Sequence, residues 1–375
     1  MSEVMLDLSG VNKIYNPTSR HPVHAVIDLD LAVQKGEIVA LLGSSGCGKT
    51  STLRMIAGFE DVTEGQISLA GHEIHRQPPA KRNVSMAFEG YSLYPPLTIR
   101  ENIAFALKAE RLSRDEVSIR VDEMARLLGI EAVLDRYPSS ISGGQQQRAG
   151  LGRALIRGAD LHLLDEPMGQ LEPQLRAHLR GRIKHFIKER GLTAILVTHD
   201  QTEANALADR IAVMEGGVLQ QFDTPEALKA RPANLFTGTF IGEPPMNVFA
   251  AEAASEGGQI LFHLGDGVQL GYADTDFTPE LRDSILKRGS VTLGVRPHAV
   301  GIGIGGAEAR VYASQWLGDQ THIAAHFAGA SIVSVRHDRV NHAKGDMIGV
   351  DLPATNLHLF DTATGAAISH GGAMA

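Results

Sequence analysis

The sequence contains a single cysteine, Cys47, among its 375 residues. One cysteine cannot form an internal disulfide bond, and residues 1–10 lack the basic-then-apolar pattern of a signal peptide. These two absences predict a cytosolic protein. The sequence also has no run of about 18 consecutive apolar residues, the length that a membrane-spanning helix requires, so any role at a membrane would need a partner subunit.

An excess of basic residues is also lacking. The 35 Lys and Arg residues against 43 Asp and Glu residues give a formal net charge of -8. Proteins that bind DNA or RNA through phosphate contacts carry basic surfaces, so we expect no nucleic-acid partner. The hydrophobic fraction of 43% and the charged fraction of 21% are typical of a globular protein, and the length predicts two or three domains.

The first 235 residues or so have the pattern of an α/β domain with a mainly parallel sheet, because short apolar runs alternate with helical patterns. A helix is predicted over 113–128, with Ser113 as its N-cap and an apolar stripe that includes Val121, Met124 and Leu128. Buried strands are predicted at 37–42, 84–88, 161–164 and 193–197.

A second domain is predicted after a segment rich in Pro and Gly at 230–246, which marks a boundary. Short strands without long helices between them favour a small β-barrel, and the run GIGIGG at 301–306 predicts a loop. The strands of this domain are predicted at 260–270, 290–295, 310–316, 321–327 and 331–336.

The string GSSGCGKT at 43–50 lies between a predicted strand and a predicted helix. Glycines let successive backbone N–H groups surround a polyphosphate, while Lys49 reaches the β- and γ-phosphates and the Thr50 hydroxyl ligates Mg²⁺. A plain Gly-rich turn is the alternative, which the flanking strand and helix disfavour, and Cys47 is interpreted as a small filler rather than a reactive thiolate. The predicted phosphate-binding residues are Gly43, Ser44, Ser45, Gly46, Cys47, Gly48, Lys49, Thr50 and Ser51.

Two carboxylates, Asp165 and Glu166, end the apolar run LHLLDEP. Such an acidic pair suits a site in which one carboxylate ligates Mg²⁺ and the other deprotonates an attacking water molecule. Acidic pairs at strand ends are common, but their order after a phosphate-binding loop favours Asp165 as the metal ligand and Glu166 as the general base.

The order of these motifs resembles the nucleotide-binding subunit of an ATP-binding cassette (ABC) transporter. The resemblance rests on the phosphate-binding loop, the SGGQ segment at 142–145, LLDEP at 163–167 and VTHD at 197–200. It implies ATP and Mg²⁺ as cofactors and a head-to-tail dimer with a second copy or a paralogous ATPase. It also implies that His199 contacts the γ-phosphate and braces the general base, and that Tyr15 stacks on adenine.

In this family the SGGQ segment of one subunit completes the ATP site of the other. The residues implied at the opposite subunit's ATP are Ser142, Gly143, Gly144, Gln145 and Glu172.

Two positions depart from the family pattern. Glu89 replaces a glutamine that senses Mg²⁺ and water, and it adds a negative charge whose repulsion is expected to raise a carboxyl pKa or slow closure. The segment Gly169, Gln170, Leu171, Glu172 replaces SNLD or SALD. Both changes keep hydrogen-bond acceptors, so we expect reduced or asymmetric turnover, with Glu89 still a metal ligand. A regulatory subunit that binds ATP but scarcely hydrolyses it is the alternative.

The C-terminal strings FIGEPPMN, LGVRPHAV and WLGDQTHI resemble ATPase subunits of bacterial carbohydrate importers. The resemblance implies a P-loop nucleotide-binding domain at 1–238 with a helical subdomain at about 89–158. It implies a regulatory and dimer-stabilising OB-type barrel at 239–375. A sugar or sugar derivative is the favoured cargo, and importers of polyamines, iron or other anions are the alternative.

The implied partners are two transmembrane permease subunits and, indirectly, an extracytoplasmic solute-binding protein. This places the chain at the cytoplasmic face of the bacterial inner membrane. Tyr91, Leu93, Tyr94 and Pro95 are implied to form the groove for a permease helix, with a packed subdomain junction as the alternative. A soluble translation or repair ATPase would carry two cassettes or a basic surface, and this chain has one cassette and net acidity.

Overall fold

The computed structural model describes residues 3–303 and 306–371, which form two compact units, Met1–Pro225 and Glu226–Ala375. The division falls before the boundary expected at 238/239. The segment after Pro225 belongs to the second unit because it forms hydrogen bonds with residues of that unit. The Leu235 N–H donates to the Gly365 carbonyl (2.7 Å), and Arg296 donates to the Lys229 carbonyl (2.9 Å). None of the helices in the described residues has the length and apolar character to cross a membrane.

The first unit is an α/β domain. Its strands are β1 (Val4–Tyr15), β2 (Val23–Gln34), β3 (Ile38–Gly43), β4 (Glu64–Leu69), β5 (His72–Glu73), β6 (Val84–Ala87), β7 (Leu161–Asp165), β8 (Ala194–Thr198), β9 (Arg210–Glu215) and β10 (Val218–Asp223). Its helices are α1 (Lys49–Ala57), α2 (Ile99–Phe105), α3 (Arg114–Leu128), α4 (Gly143–Leu155), α5 (Pro173–Glu189) and α6 (Gln201–Leu207).

The larger sheet of this unit has the order β10-β9-β3-β8-β7-β6. All its pairs are parallel except β9 with β10, and the four buried strands predicted from the sequence are confirmed as β3, β6, β7 and β8. Every residue of β3, β7 and β8 is buried, which explains their continuous apolar sequences. Because parallel strands end at the same edge, the loops after β3, β7 and β8 meet there.

The second sheet is antiparallel, with the order β2-β1-β4-β5, and its apolar side chains share a core with those of β3, β7 and α1. Helices α2, α3 and α4 lie within the segment expected to form a helical subdomain. The predicted helix at 113–128 is confirmed as α3. Its N-cap Ser113 accepts a hydrogen bond from the Glu116 N–H, and Val121, Met124 and Leu128 are buried.

The second unit contains helices and two antiparallel sheets. Its helices are α7 (Pro225–Ala230), α8 (Leu235–Phe240) and α9 (Pro279–Arg288). Its strands are β11 (Asn247–Glu256), β12 (Gln259–His263), β13 (Gln269–Ala273), β14 (Ser290–Val295), β15 (Gly301–Gly303), β16 (Ala307–Trp316), β17 (Thr321–Phe327), β18 (Ala330–Arg336), β19 (Met347–Asp351), β20 (Leu357–Asp361) and β21 (Ala367–His370).

The two sheets, β13-β12-β11-β14-β20-β21 and β15-β19-β16-β17-β18, curl around one core, as a small OB-type barrel requires. Phe249 and Phe327 meet edge to face in this core, with ring centroids 5.3 Å apart. The strands predicted at 290–295 and 321–327 coincide with β14 and β17, and those at 310–316 and 331–336 lie within β16 and β18.

Three predictions for this unit need correction. The strand predicted at 260–270 is two paired strands, β12 and β13, because a turn with positive φ at Asp266 (55°) and Gly267 (74°) reverses the chain. Helix α9 was not predicted, although Thr278 caps it and Pro279 begins it. The loop predicted at 301–306 begins with the short strand β15, and residues 304–305 lie outside the described residues.

Candidate active site

The phosphate-binding loop connects the buried end of β3 to α1. Gly46 and Gly48 have φ values of 80° and 104°, in the left-handed region that side chains disfavour. A Cβ atom on Gly48 would lie only 2.3 Å from the carbonyl oxygen of Ala25, so this position accepts no side chain without a shift of the backbone. The glycines therefore allow the loop to bend tightly ahead of the N-terminus of α1, where backbone N–H groups can bind an anion.

Lys49 lies folded over this loop and is only 8% exposed. Its Nζ donates hydrogen bonds to the carbonyl oxygens of Gly43 (2.9 Å) and Ser44 (2.8 Å). Cys47 is buried beside it, and burial raises the pKa of the thiol, which suits the expected role of a small filler. The ammonium group is thus held at the place where phosphate oxygens would approach the loop.

The charges of two other carboxylates, those of Glu89 and Glu166, act on Asp165 at the end of β7. Burial, together with the nearby charges of Glu89 and Glu166, raises the pKa of Asp165 to about 6. The buried Oδ1 of Asp165 has no hydrogen-bond partner among the described residues. A buried carboxylate oxygen without a partner is a group that a divalent cation would stabilise, although no three His, Cys, Asp or Glu side chains of the described residues are grouped closely enough to hold a metal ion by themselves. The repulsion from Glu89 that the sequence predicted is therefore present at this carboxyl.

The general-base candidate Glu166 and His199 are hydrogen-bonded. His199 Nδ1 lies 2.9 Å from Glu166 Oε1, and this carboxylate raises the pKa of His199. Glu166 has a φ of 46°, an uncommon value for a residue with a side chain, and its N–H donates to the carbonyl of Val197 (2.9 Å). The backbone turn after β7 thus points the carboxylate toward the residue that follows β8.

A cavity of about 370 Å³ brings most of these groups together. Seven of the predicted site residues line it, along with four residues that were not predicted to belong to the site. The predicted ones are Ser45, Gly46, Lys49, Thr50, Glu89, Glu166 and His199, and the others are Gln147, Gly169, Gln170 and Val197. A cation, a general base and a hydroxyl that can ligate a metal thus face one space, which suits binding and hydrolysis of a phosphate chain.

Tyr15 lies beside the first turn of α1 and not in the cavity lining. Its hydroxyl is 3.2 Å from Ser51 Oγ, and Lys13 Nζ lies 4.7 Å from the centre of its ring. Lys13 is in turn held by Glu60 at 2.9 Å. This geometry fixes the ring next to the phosphate-binding loop, where it can offer an aromatic surface to a base.

The SGGQ segment forms the start of α4. Ser142 is the N-cap, accepting a hydrogen bond from the Gln145 N–H, while Gln145 Oε1 accepts one from the Ser142 N–H. Neither residue lines the cavity, and the exposed Glu172 at the start of α5 does not line it either. These are the residues that the resemblance implies at the ATP of the opposite subunit.

Two residues next to the catalytic turn were not predicted from the sequence. Gln147, only 4% exposed, donates to the carbonyl of Glu166 (2.9 Å) and accepts from the N–H of Gln170 (3.0 Å). Glu203, only 2% exposed, accepts from the Thr198 hydroxyl (2.8 Å), and burial raises its pKa to about 7. In the sequence, Gln147 is marked only by the repeated glutamines of SGGQQQR, and Glu203 only by its position directly after VTHDQT.

Comparison with known proteins bears on this geometry. Residues 26–169 match the family described as ABC transporter, and residues 293–360 match the TOBE domain. The trehalose import ATP-binding protein SugC of Mycobacterium tuberculosis is 42% identical over 80% of this chain and 73% of its own length. The lactose transport ATP-binding protein LacK of Rhizobium radiobacter is 38% identical over 96% of this chain and 98% of its own length.

A solved structure has the same fold. The dimeric ATP-binding cassette MJ0796, in a post-hydrolysis state bound to ADP and Pi, aligns with a TM-score of 0.55 and 26% identity, over 59% of this chain and 98% of its own. The resemblance seen in the sequence is therefore confirmed. The chain belongs to the family of ABC transporter ATP-binding proteins, ATPases that combine a P-loop cassette with, in this chain, a C-terminal TOBE domain.

Proposed function

We propose that this protein hydrolyses ATP to power the import of a sugar or a sugar derivative. The observation that supports hydrolysis most directly is the hydrogen bond between Glu166 and His199. Both residues line the same cavity as Lys49 and Thr50. A bound nucleotide without a positioned base would be hydrolysed far more slowly, and here the base is within hydrogen-bond distance of a histidine that can orient it.

Each residue has a distinct role in this mechanism. Lys49 exchanges the carbonyls of Gly43 and Ser44 for the β- and γ-phosphates of ATP, which satisfy its ammonium group more strongly. Glu166 takes the proton of the attacking water as the oxygen approaches the γ-phosphorus. His199 holds the Glu166 carboxylate in place and donates to a γ-phosphate oxygen.

Two carboxylates and one hydroxyl group are the proposed ligands of Mg²⁺. Asp165, whose Oδ1 is buried without a protein partner, Glu89 and the Thr50 hydroxyl would hold the ion. Bound there, the ion would neutralise charge on the phosphates and relieve repulsion among the carboxylates.

The proposed assembly is a head-to-tail dimer of two ATPases, the partner being a second copy or a paralogue. The support is that Ser142, Gln145 and Glu172 lie outside this chain's own cavity and that the related cassette MJ0796 was solved as a dimer. In this assembly Ser142, Gly143 and Gly144 face the γ-phosphate held by the partner. The TOBE domain has the role of stabilising and regulating the dimer.

Two permease subunits are the proposed membrane partners, which places the chain at the cytoplasmic face of the inner membrane. The support is a groove of about 420 Å³ between the sheet and the helical segment. Phe88, Tyr94 and Phe105 line it, and Tyr94 and Phe105 are 43% and 37% exposed. A groove that combines exposed aromatic rings with the basic side chains of Lys108 and Arg153 suits a docked permease helix. Tyr91 does not line this groove and packs on α4. For this residue the geometry supports the alternative, a packed junction between subdomains.

A sugar or sugar derivative is the proposed cargo. The support is the solute of the related transport systems, since the relatives are ATP-binding proteins for trehalose import, lactose transport and, in Cereibacter sphaeroides, sn-glycerol-3-phosphate import. An extracytoplasmic binding protein would deliver the solute, and the alternative is an importer of another solute such as a polyamine or iron.

The test is ATP hydrolysis by the transporter assembled with its permeases in vesicles that contain the binding protein. We expect turnover that rises when a cognate sugar is added and stays at its basal rate with spermidine or ferric citrate. Stimulation by spermidine or iron alone would overturn the proposed cargo. ATP binding without turnover would instead favour the regulatory subunit that scarcely hydrolyses.

A further inference from the structure

Tyr91 packs across one face of α4 on two glycines. A Cβ atom on Gly150 would lie 2.9 Å from the Tyr91 carbonyl oxygen, and one on Gly143 would lie 2.7 Å from its hydroxyl oxygen. The two glycines are seven residues apart, so they lie on the same side of the helix about two turns apart. Their missing side chains let Tyr91 rest directly on the helix backbone.

The Tyr91 backbone conformation depends on this packing. Its φ of 58° is in the left-handed region, which a bulky residue occupies only when its surroundings hold it there. The guanidinium of Arg153 on α4 lies 5.3 Å from the ring centre of Tyr94, three residues further along the same loop. The loop between β6 and α2 is therefore attached to α4 at two points.

The Tyr91 hydroxyl begins a series of three hydrogen bonds that ends at the general base. It donates to Gln170 Oε1. The Gln170 N–H donates to Gln147 Oε1 (3.0 Å), and Gln147 Nε2 donates to the carbonyl of Glu166 (2.9 Å). The buried Gln147 amide thus uses both its acceptor and its donor, which fixes its orientation.

We propose that Tyr91, Gln170 and Gln147 form a positioning relay that fixes the backbone of the catalytic turn, with Tyr91 as its anchor on α4. The proposal rests on the proposed function, in which Glu166 is the base. The relay acts on the carbonyl of Glu166, whose φ of 46° leaves the turn dependent on its surroundings.

The relay is tested with substitutions in the full-length protein that remove the hydrogen bond between Tyr91 and Gln170 from either side. Tyr91→Phe removes the hydroxyl and keeps the ring on α4, while Gln170→Met removes the acceptor and keeps the side-chain length. Each is expected to lower kcat for Mg-ATP by about three- to tenfold with KM changed less than about twofold, and the double variant is expected to fall no further than either single variant.

Tyr137→Phe is the matched control, since this tyrosine lies in the same unit, is 52% exposed and lines no part of the cavity. The relay is overturned if Tyr91→Phe matches this control, if the two single losses multiply in the double variant, or if KM rises while kcat is unchanged. Any of these results would leave the ATPase activity of the wild-type protein, and so the proposed function, intact.

Hydrogen exchange gives a readout that does not depend on catalysis. The Gln170 N–H is bonded to Gln147, so Tyr91→Phe and Gln170→Met are each expected to speed exchange in the peptide 164–171, with no change for Tyr137→Phe. Unchanged exchange in both variants would overturn the relay. Absence of ATP hydrolysis by the wild-type protein would contradict the proposed function alone, because the exchange result still decides the relay.

Discussion

His199 Nδ1 lies 2.9 Å from Glu166 Oε1, although the two residues are 33 positions apart in the chain. They meet because β7 and β8 are parallel neighbours, so the residues that follow the two strands lie side by side. The Glu166 side chain is 16% exposed and that of His199 is 74% exposed. The base is therefore shielded by the fold, whereas the histidine that orients it remains open to the cavity.

Replacing Glu166 by Gln is expected to abolish turnover and preserve ATP binding. The amide keeps the shape of the side chain but cannot accept the proton of the attacking water, and a lost general base lowers the rate by about 100-fold or more. Steady-state ATPase assays measure the loss, and gel filtration with Mg-ATP is expected to show an accumulated closed dimer. Glu256→Gln, an exposed position in the second unit, is the control. Wild-type turnover in Glu166→Gln would contradict the assignment of the base.

Replacing Lys49 by Ala is expected to weaken nucleotide binding. A charge-assisted hydrogen bond contributes about 1.5–3 kcal/mol, so loss of the ammonium group corresponds to roughly a 10- to 100-fold rise in the Kd for ATP. Titration with a fluorescent ATP analogue measures it, with Lys81→Ala as an exposed control. An unchanged Kd would refute the proposed contact with the phosphates.

Replacing Glu89 by Gln is expected to raise ATPase activity in the assembled transporter at neutral pH. Glu89 helps to raise the pKa of Asp165, and removing its charge relieves repulsion around the metal and the γ-phosphate. The gain is expected to stay below about tenfold, because solvent and Mg²⁺ screen part of the repulsion. It is also expected to shrink as the pH falls and Asp165, whose pKa is raised to about 6, becomes protonated.

A pH series of initial rates, with Glu73→Gln as an exposed control, measures this effect. Lower activity of Glu89→Gln at every pH would show that the carboxylate is an adapted metal ligand and not a handicap.

Replacing Glu203 by Gln is expected to change how stability depends on pH. Burial raises the pKa of Glu203 from an ordinary 4.5 to about 7, so the folded protein holds this proton more tightly than the unfolded chain. The contribution of this proton to the free energy of unfolding is therefore complete below about pH 4.5 and is lost as the pH rises through 7. The substituted amide keeps an acceptor for the Thr198 hydroxyl but does not titrate.

The free energy of unfolding of the wild-type protein, measured with urea, is thus expected to fall relative to that of Glu203→Gln between pH 5 and pH 8, by at most about 3 kcal/mol. Glu226→Gln, at an exposed position, provides the control. Parallel pH profiles for wild type and Glu203→Gln would exclude a buried, protonated Glu203.

Local sequence was sufficient for the elements that bind phosphate. The glycines of 43–50 permit the left-handed conformations found at Gly46 and Gly48, and the apolar run that ends in Asp165 predicts a buried strand with its carboxylate at the edge of the sheet. Local signals in the second unit were weaker. Residues 260–270 were predicted as one strand, although they belong to the β12–β13 hairpin. The turn at 264–268 is short, lies between two apolar segments and places the non-glycine residue Asp266 at positive φ, which the sequence pattern does not indicate.

The family, the order of the catalytic motifs and the strands that carry them were predictable from the sequence, because those features depend on neighbouring residues. The contacts between side chains across the site became known from the folded chain alone. Gln147 bonds to Glu166 and Tyr91 packs on Gly143 and Gly150 because α4 lies against the end of β7 and the loop after β6. Contacts between residues far apart in the chain depend on the packing of whole elements, and no local pattern encodes that packing.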